Sequence, residues 1–183
     1  MDPFELKQCL DSFTIIVDTR EQPTPKARRR YSTFGCEWVR NALSYGDYAY
    51  NIKLPSGKWL LNLDGSEVNP PCAVERKMNL DELAQCFTHS RDRFEREFQR
   101  ASDHNARIHL VVENGNMENL YNGKYRSKFH PNAFTQSVWA FVARYNMGFN
   151  FCKAETSGKV IRDILFRDCK ERLERGEFDD GEI

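Results

Sequence analysis

Short apolar runs that end in charged residues recur along the chain. Thr14 to Val17 is apolar and β-branched and runs into Asp18-Thr19-Arg20-Glu21-Gln22-Pro23, which predicts a buried strand delivering polar groups at its C-terminal end. Asp47 to Leu54, the turn residues Pro55-Ser56-Gly57 and then Lys58 to Leu63 predict a hairpin. Ala73-Val74 leads into Glu75-Arg76-Lys77 as a brief strand, and Ile108 to Val112, apolar apart from His109, predicts another that ends in Glu113-Asn114-Gly115. Between these two the hydrophobic period lengthens. Asn79 with Glu82 three residues on marks a helix start, and Leu80, Leu83, Ala84 and Phe87 follow at helical spacing. Phe94, Phe98 and Ala101 continue the stripe, with Thr88-His89-Ser90 as the point where it divides into two helices. Phe134, Val138, Phe141 and Tyr145 predict a further helix, Phe149 to Cys152 a strand, and Val160 to Leu173 a last helix. The order β, β-hairpin, β, α, β, α, β, α predicts an α/β sandwich with a central mixed β-sheet flanked by helices.

Composition narrows the class. A length of 183 residues with 40% hydrophobic and 13% aromatic residues fits one domain, 1–183, with a real core and excludes a disordered chain. The longest unbroken apolar run, Val138 to Ala143, is far short of a bilayer span, and Met1-Asp2-Pro3-Phe4-Glu5 lacks a basic-then-apolar export pattern. Six scattered cysteines without a CxxC pair predict free thiols in a reducing, intracellular compartment. No membrane partner and no small-molecule cofactor are expected.

The net charge of zero, 27 basic against 27 acidic residues, conceals an asymmetry. Residues 177–183 hold four acids and no base, so the rest of the chain carries +4; this acidic tail is expected to be a disordered, solubilising end. Arg20 to Arg30 holds Arg20, Lys26, Arg28, Arg29 and Arg30 against Glu21 alone, broken by Pro23 and Pro25, and predicts a basic loop. Directly after Asp18-Thr19-Arg20-Glu21, its Lys26, Arg28, Arg29 and Arg30 are candidates for phosphate contact.

Three carboxylates, Asp18, Asp47 and Glu75, arrive at predicted strand ends, and Lys77 follows Glu75 by two residues. Residues two apart on a strand share a face, so Glu75 and Lys77 project together while Arg76 points away. Two carboxylates ~4 Å apart repel by about 4 kcal/mol at an effective dielectric of 20, so clustered acids call for a cation or for protons. Oxygen donors select Mg²⁺ or Mn²⁺ over zinc. A divalent ion beside a lysine suits phosphodiester hydrolysis.

These residues carry a family resemblance. Gly46-Asp47, a gap of 27 residues, Glu75-Arg76-Lys77 and then Asp81 resemble the GD…ERKxxxD signature of the XPF-type structure-specific endonucleases. Val17-Asp18-Thr19-Arg20-Glu21 resembles the VDxRE stretch of the same nuclease domain, and the whole is a form of the wider PD-(D/E)xK pattern. The resemblance covers residues 14–113; the C-terminal helices and strand, 132–175, carry no motif. It implies a restriction-endonuclease-like fold and an endonuclease that cuts branched, flap or junction DNA in repair or recombination with Mg²⁺ or Mn²⁺. It further implies Asp47 and Glu75 as metal ligands, Lys77 as the catalytic lysine and Asp18 as another acid of the site. Arg20, Glu21, Arg76 and Asp81 match the motif as supporting residues. Tandem helix-hairpin-helix modules of larger relatives find no counterpart here. The chain looks like the short bacterial or phage members, which implies a cytoplasmic protein whose dimer, if it forms one, is built from the nuclease domain itself.

Two rival readings share the fold. A Holliday-junction resolvase or restriction-type nuclease has the same chemistry on another substrate. A catalytically silent DNA-binding scaffold subunit should lack one of the acids or the lysine, and this chain has them all. Arg91, Arg93, Arg96 and Arg100 interleaved with Asp92, Glu95 and Glu97 read as a solvated helix face. Tyr121, Tyr125 and Phe129 among Lys124, Arg126 and Lys128 either stack on unpaired bases or pack on the core, while Trp139 and Phe141 are assigned to the core.

Overall fold

The computed structural model describes residues 1–178. A six-stranded mixed sheet in the order β2-β1-β3-β4-β5-β6 runs through it. β1 (Thr14–Asp18) pairs parallel with β2 (Glu37–Asn41) and antiparallel with β3 (Tyr48–Asn51). β3 pairs antiparallel with β4 (Cys72–Lys77), after which β4, β5 (Arg107–Glu113) and β6 (Gly148–Cys152) are parallel. The predicted α/β sandwich with a mixed sheet is what forms.

Alternation along the strands divides the core in two. Ile15, Val17, Tyr48, Tyr50, Cys72, Val74 and Val111 face α1 (Pro3–Asp11), α2 (Pro25–Tyr31) and α7 (Ser157–Glu174). Ala73, Ile108, Leu110 and Val112 face α3 (Leu80–Thr88), α4 (Arg91–Asp103) and α6 (Pro131–Tyr145), with α5 (Met117–Tyr121) adding Leu120. Phe87, Phe94, Phe98 and Phe141 interlock there at ring distances of 4.9 to 5.5 Å. Over β1 and β3 that same side is covered by Leu43, Leu61 and Val68. No helix among the described residues is long and apolar enough to cross a membrane.

Several local expectations change. The basic loop is a helix: Thr24 caps α2 by accepting from the Ala27 N–H at 3.1 Å, and Pro25 occupies the first turn. Proline there starts a helix rather than breaking the chain, because its missing N–H has no partner at a helix N-terminus. α1 is likewise opened by Asp2 and Pro3, with Glu5 closing a reciprocal capping box. The predicted hairpin is reduced. Both edges of β3 are occupied by β1 and β4, so Lys58 to Leu63 cannot join the sheet. It returns through a single Lys53–Trp59 bridge, and the Asn51 side-chain amide meets the Leu61 N–H and C=O in place of a ladder. β2 escaped prediction because four of its five residues are exposed. Of the acidic tail, Phe178 is buried in the α1/α7 core and Glu177 pairs with Arg172 at 2.7 Å, so the stretch begins anchored; 179–183 lie outside the described residues.

Candidate active site

The site forms where β1, β3 and β4 bring their charged ends together. Gly46 precedes β3 with φ +73°, and a Cβ there would sit 2.7 Å from the Ala73 Cβ, so only glycine lets the chain pass this close to β4. The turn hands its N–H to the Glu97 carboxylate at 2.8 Å. Asp47 then hydrogen-bonds on both sides: its N–H donates to the Val74 carbonyl at 2.8 Å and its carbonyl accepts from the Asp18 N–H at 2.9 Å. Its side chain accepts from the Arg76 N–H at 2.8 Å. The GD pair is thereby locked against the ERK strand.

Glu75 and Lys77 project to the α3/α4 side of β4, as their spacing predicts, and form a buried ion pair with each other. The Lys77 ammonium also lies 5.5 Å from the centre of the Phe94 ring. Burial, together with Glu21 and Glu97, pushes the Asp47 carboxyl up to about 7 against the pull of Lys77. Burial and the charges of Asp47 and Glu97 hold Glu75 well above the usual carboxylate range. Burial alone would lower the Lys77 ammonium, but Glu75 and Asp47 beside it keep it above an ordinary lysine. One lysine thus faces two buried carboxyls whose charged forms burial disfavours, so protons or a cation must balance them. Among the described residues no three His, Cys, Asp or Glu side chains converge tightly enough to cage an ion unaided. The donor set fits a hard cation that keeps water in its shell, with Asp47 and Glu75 as its carboxylates.

The sequence pattern places Glu97 on a solvated helix face. The fold of α4 instead brings it to Gly46 and into the fields of Asp47 and Glu75. Its one sequence signal, three residues after Phe94 on the buried stripe, does not distinguish it from Glu95, which turns outward to pair with Arg144.

Asp18 is buried and fully engaged: Arg20 donates to both its oxygens, with a closest approach of 2.5 Å, and the Leu43 N–H adds a bond at 3.3 Å. The hydrogen bond to Asp18 raises the Arg20 guanidinium above its ordinary value. This pair secures the chain beside Asp47 and leaves Asp18 little capacity for a metal.

On the opposite face of the sheet lies a second cluster. Arg76 reaches Glu113 at 3.3 Å and Glu21 at 4.0 Å; Arg30 reaches Glu113 at 3.1 Å, Glu21 at 3.8 Å and the Tyr48 hydroxyl at 3.0 Å. The Tyr48 hydroxyl in turn donates to Glu21 at 2.9 Å. Arg76 Nε is left without a partner in this buried setting. Arg30 is 7% exposed and committed to this network, so it does not join the solvent-facing cations, whereas Lys26, Arg28 and Arg29 are exposed on α2. Glu113 and Tyr48, which complete the cluster, carried no sequence signal beyond their strand positions.

Asp81 sits in the first turn of α3, where it accepts from the backbone N–H groups of Arg126 (2.7 Å) and Ser127 (2.8 Å) and pairs with the Arg126 side chain at 3.3 Å. Partial burial opposes its ionisation, but these donors hold its pKa below the ordinary value.

Residues 17–163 match the family model described as the ERCC4 domain, a span that contains Asp18, Asp47, Glu75, Lys77, Asp81, Glu97 and Glu113. No curated protein matches the sequence. A structure of XPF from Aeropyrum pernix superposes with a TM-score of 0.56 at 18% identity, covering 82% of this chain and 64% of that one. A second, of XPF from Aeropyrum pernix in complex with DNA, gives 0.57 at 20% identity, covering 87% and 66%. This chain thus spans slightly under two thirds of the length of those structures, and at this identity the likeness establishes the fold. The resemblance carried by the GD and ERK motifs is borne out.

Proposed function

The chain belongs to the ERCC4 domain family, and from that premise we propose that it is a Mg²⁺- or Mn²⁺-dependent endonuclease hydrolysing phosphodiester bonds in branched, flap or junction DNA. The observation that carries this reading is the gathering of Asp47, Glu75 and Lys77 on one face of the sheet, two buried carboxyls beside one lysine. Asp47 and Glu75 would hold the ion, which when bound supplies Lewis acidity toward a phosphoryl oxygen. The rest falls to the chain. Lys77 keeps a fixed positive charge on the same strand face, placed to orient an attacking water and to offset charge developing on the phosphate. The Arg76 N–H and the Gly46 turn fix Asp47, so its carboxylate needs no reorganisation during reaction. Lys26, Arg28 and Arg29 on α2 offer exposed cations to the phosphate backbone.

The test is cleavage of a matched panel (duplex, single strand, flap, fork and four-way junction) with Mg²⁺, Mn²⁺, Ca²⁺ or EDTA, beside Glu75→Gln. Metal-dependent cuts confined to branched substrates and absent from the variant are expected. Cutting that survives EDTA or the substitution would overturn the assignment of the site.

A further inference from the structure

The segment that follows α5 has a regular division of faces that the nuclease reading does not use. From Lys124 to Phe129, Lys124, Arg126 and Lys128 are exposed while Tyr125, Ser127 and Phe129 turn inward. Tyr125 meets the Phe134 ring edge-on at 5.3 Å and Phe129 stacks on it at 5.2 Å. The Tyr125 hydroxyl donates to the Phe129 carbonyl at 2.8 Å, tying the segment to itself. The core reading therefore holds for these two aromatics, and the three cations are displayed together as a consequence. The Arg126 side chain is 89% exposed even though Asp81 pairs with it, and among the described residues no ion pair engages Lys124 or Lys128.

At the end of α5, three residues before this row, and on α6, two aromatic side chains remain outside. Tyr121 is 52% exposed and Trp139, expected in the core, is 37% exposed. The Trp139 indole N–H donates to the Tyr121 hydroxyl at 2.8 Å, and its ring lies edge-on to Phe149 at 6.3 Å. Both rings are thus held in place with apolar surface turned to solvent. A fixed row of like charges next to exposed, preoriented aromatic rings is complementary to a polyanion whose bases are unpaired, since phosphates meet the cations and bases stack on the rings. A duplex, with its bases already stacked, uses only the first half of that surface.

The place of this surface is set by Asp81. Its two backbone hydrogen bonds seize the segment at Arg126 and Ser127, the middle of the cationic row. Asp81 follows Lys77 by four residues, at most about 15 Å along the chain. The motif acid is in this way a link between the candidate catalytic strand and the row.

We propose that residues Tyr121 to Lys128, together with Trp139, form the surface that receives a single strand of DNA flanking the cleaved bond, with Asp81 as the positioning residue that fixes it relative to Lys77. The assignment rests on the nuclease reading for the identity of the polyanion.

The experiment is fluorescence anisotropy of labelled oligothymidine and of a matched duplex with the full chain in EDTA, so that no cleavage enters, with circular dichroism confirming that each variant is folded. Substituting both Lys124 and Lys128 by Ala should weaken oligothymidine binding about tenfold and flatten the slope of log K against log salt by about 1.4, two contacts at ~0.7 each. Trp139→Ala should weaken oligothymidine binding about tenfold and leave the duplex unchanged. Asp81→Ala should lose affinity like the lysine pair, and Asp81→Asn, whose amide oxygen can accept the same two N–H bonds, should restore most of it. An unchanged affinity and salt slope in the lysine pair, equal losses on both DNAs in Trp139→Ala, or wild-type binding by Asp81→Ala would each overturn the proposal. A wild-type protein that binds oligothymidine but cuts nothing with Mg²⁺ sinks the nuclease reading and leaves this surface standing. One that binds neither DNA sinks the surface.

Discussion

Two charged clusters lie back to back across the ends of β4 and β5, and alternate residues of one motif feed both. On the α3/α4 side, Asp47 and Glu75 face Lys77 with Glu97 close by, and burial holds the Asp47 and Glu75 carboxyls above the usual carboxylate range. On the α2/α7 side, Glu21 and Glu113 meet Arg30 and Arg76 one for one, with Tyr48 closing the network. The first sets two buried carboxyls against one lysine, as the proposed cation site requires, while the second is balanced, as a buried structural network must be. The difference teaches why the motif reads E-R-K: a single pleat sends Glu75 and Lys77 to the proposed active site and Arg76 to the framework.

Substitution should separate the two sides. The largest effect expected is on cleavage: Glu75→Gln or Lys77→Ala should lower it on the order of a thousandfold, with folding intact, because a proposed ligand of the ion or the cation that offsets developing charge is lost. Next is Glu113→Gln, which leaves Arg30 and Arg76 with Glu21 as their one remaining shared carboxylate and should cost about 3 kcal/mol in denaturant unfolding, with cleavage per folded molecule within a few-fold of wild type. Glu97→Gln should follow, weakening Mn²⁺ binding by about tenfold in calorimetric titration, as loss of an outer partner of a metal ligand does. The last effect is on pH dependence. Asp47 ionises near 7 in the fold against 3.8 ordinarily, so between those values the folded chain holds more protons than the unfolded one. Metal-free stability should therefore fall as pH rises from about 4 to 7. Asp47→Asn should flatten that fall, and a stability that rose through the same window would contradict the assigned charge balance.

The strand pattern was legible because the core divides by alternation: Ala73 and Glu75 on one side, Val74 and Arg76 on the other, follow from period two alone. The pairing of Asp47 with Glu75 was legible through the motif spacing. Glu97 was not, since its role depends on where α4 crosses Gly46, a tertiary fact with no local signature. Arg30 was misplaced because a run of like charges says nothing about which member faces inward; the cap at Thr24 sets the phase of α2 and turns Arg30 toward Glu113. Trp139 is the converse case: it lies on α6 where it meets both Phe149 of β6 and the exposed Tyr121, so part of its ring stays in solvent.

The division of labour across β4 is tested most directly by measuring cleavage of a flap substrate with Mg²⁺ and denaturant unfolding side by side for Glu75→Gln and Glu113→Gln. Glu75→Gln should abolish cutting and leave stability unchanged or increased, while Glu113→Gln should lose stability and still cut when folded. Cutting by Glu75→Gln at the wild-type rate, or loss of cutting by a folded Glu113→Gln, would contradict it.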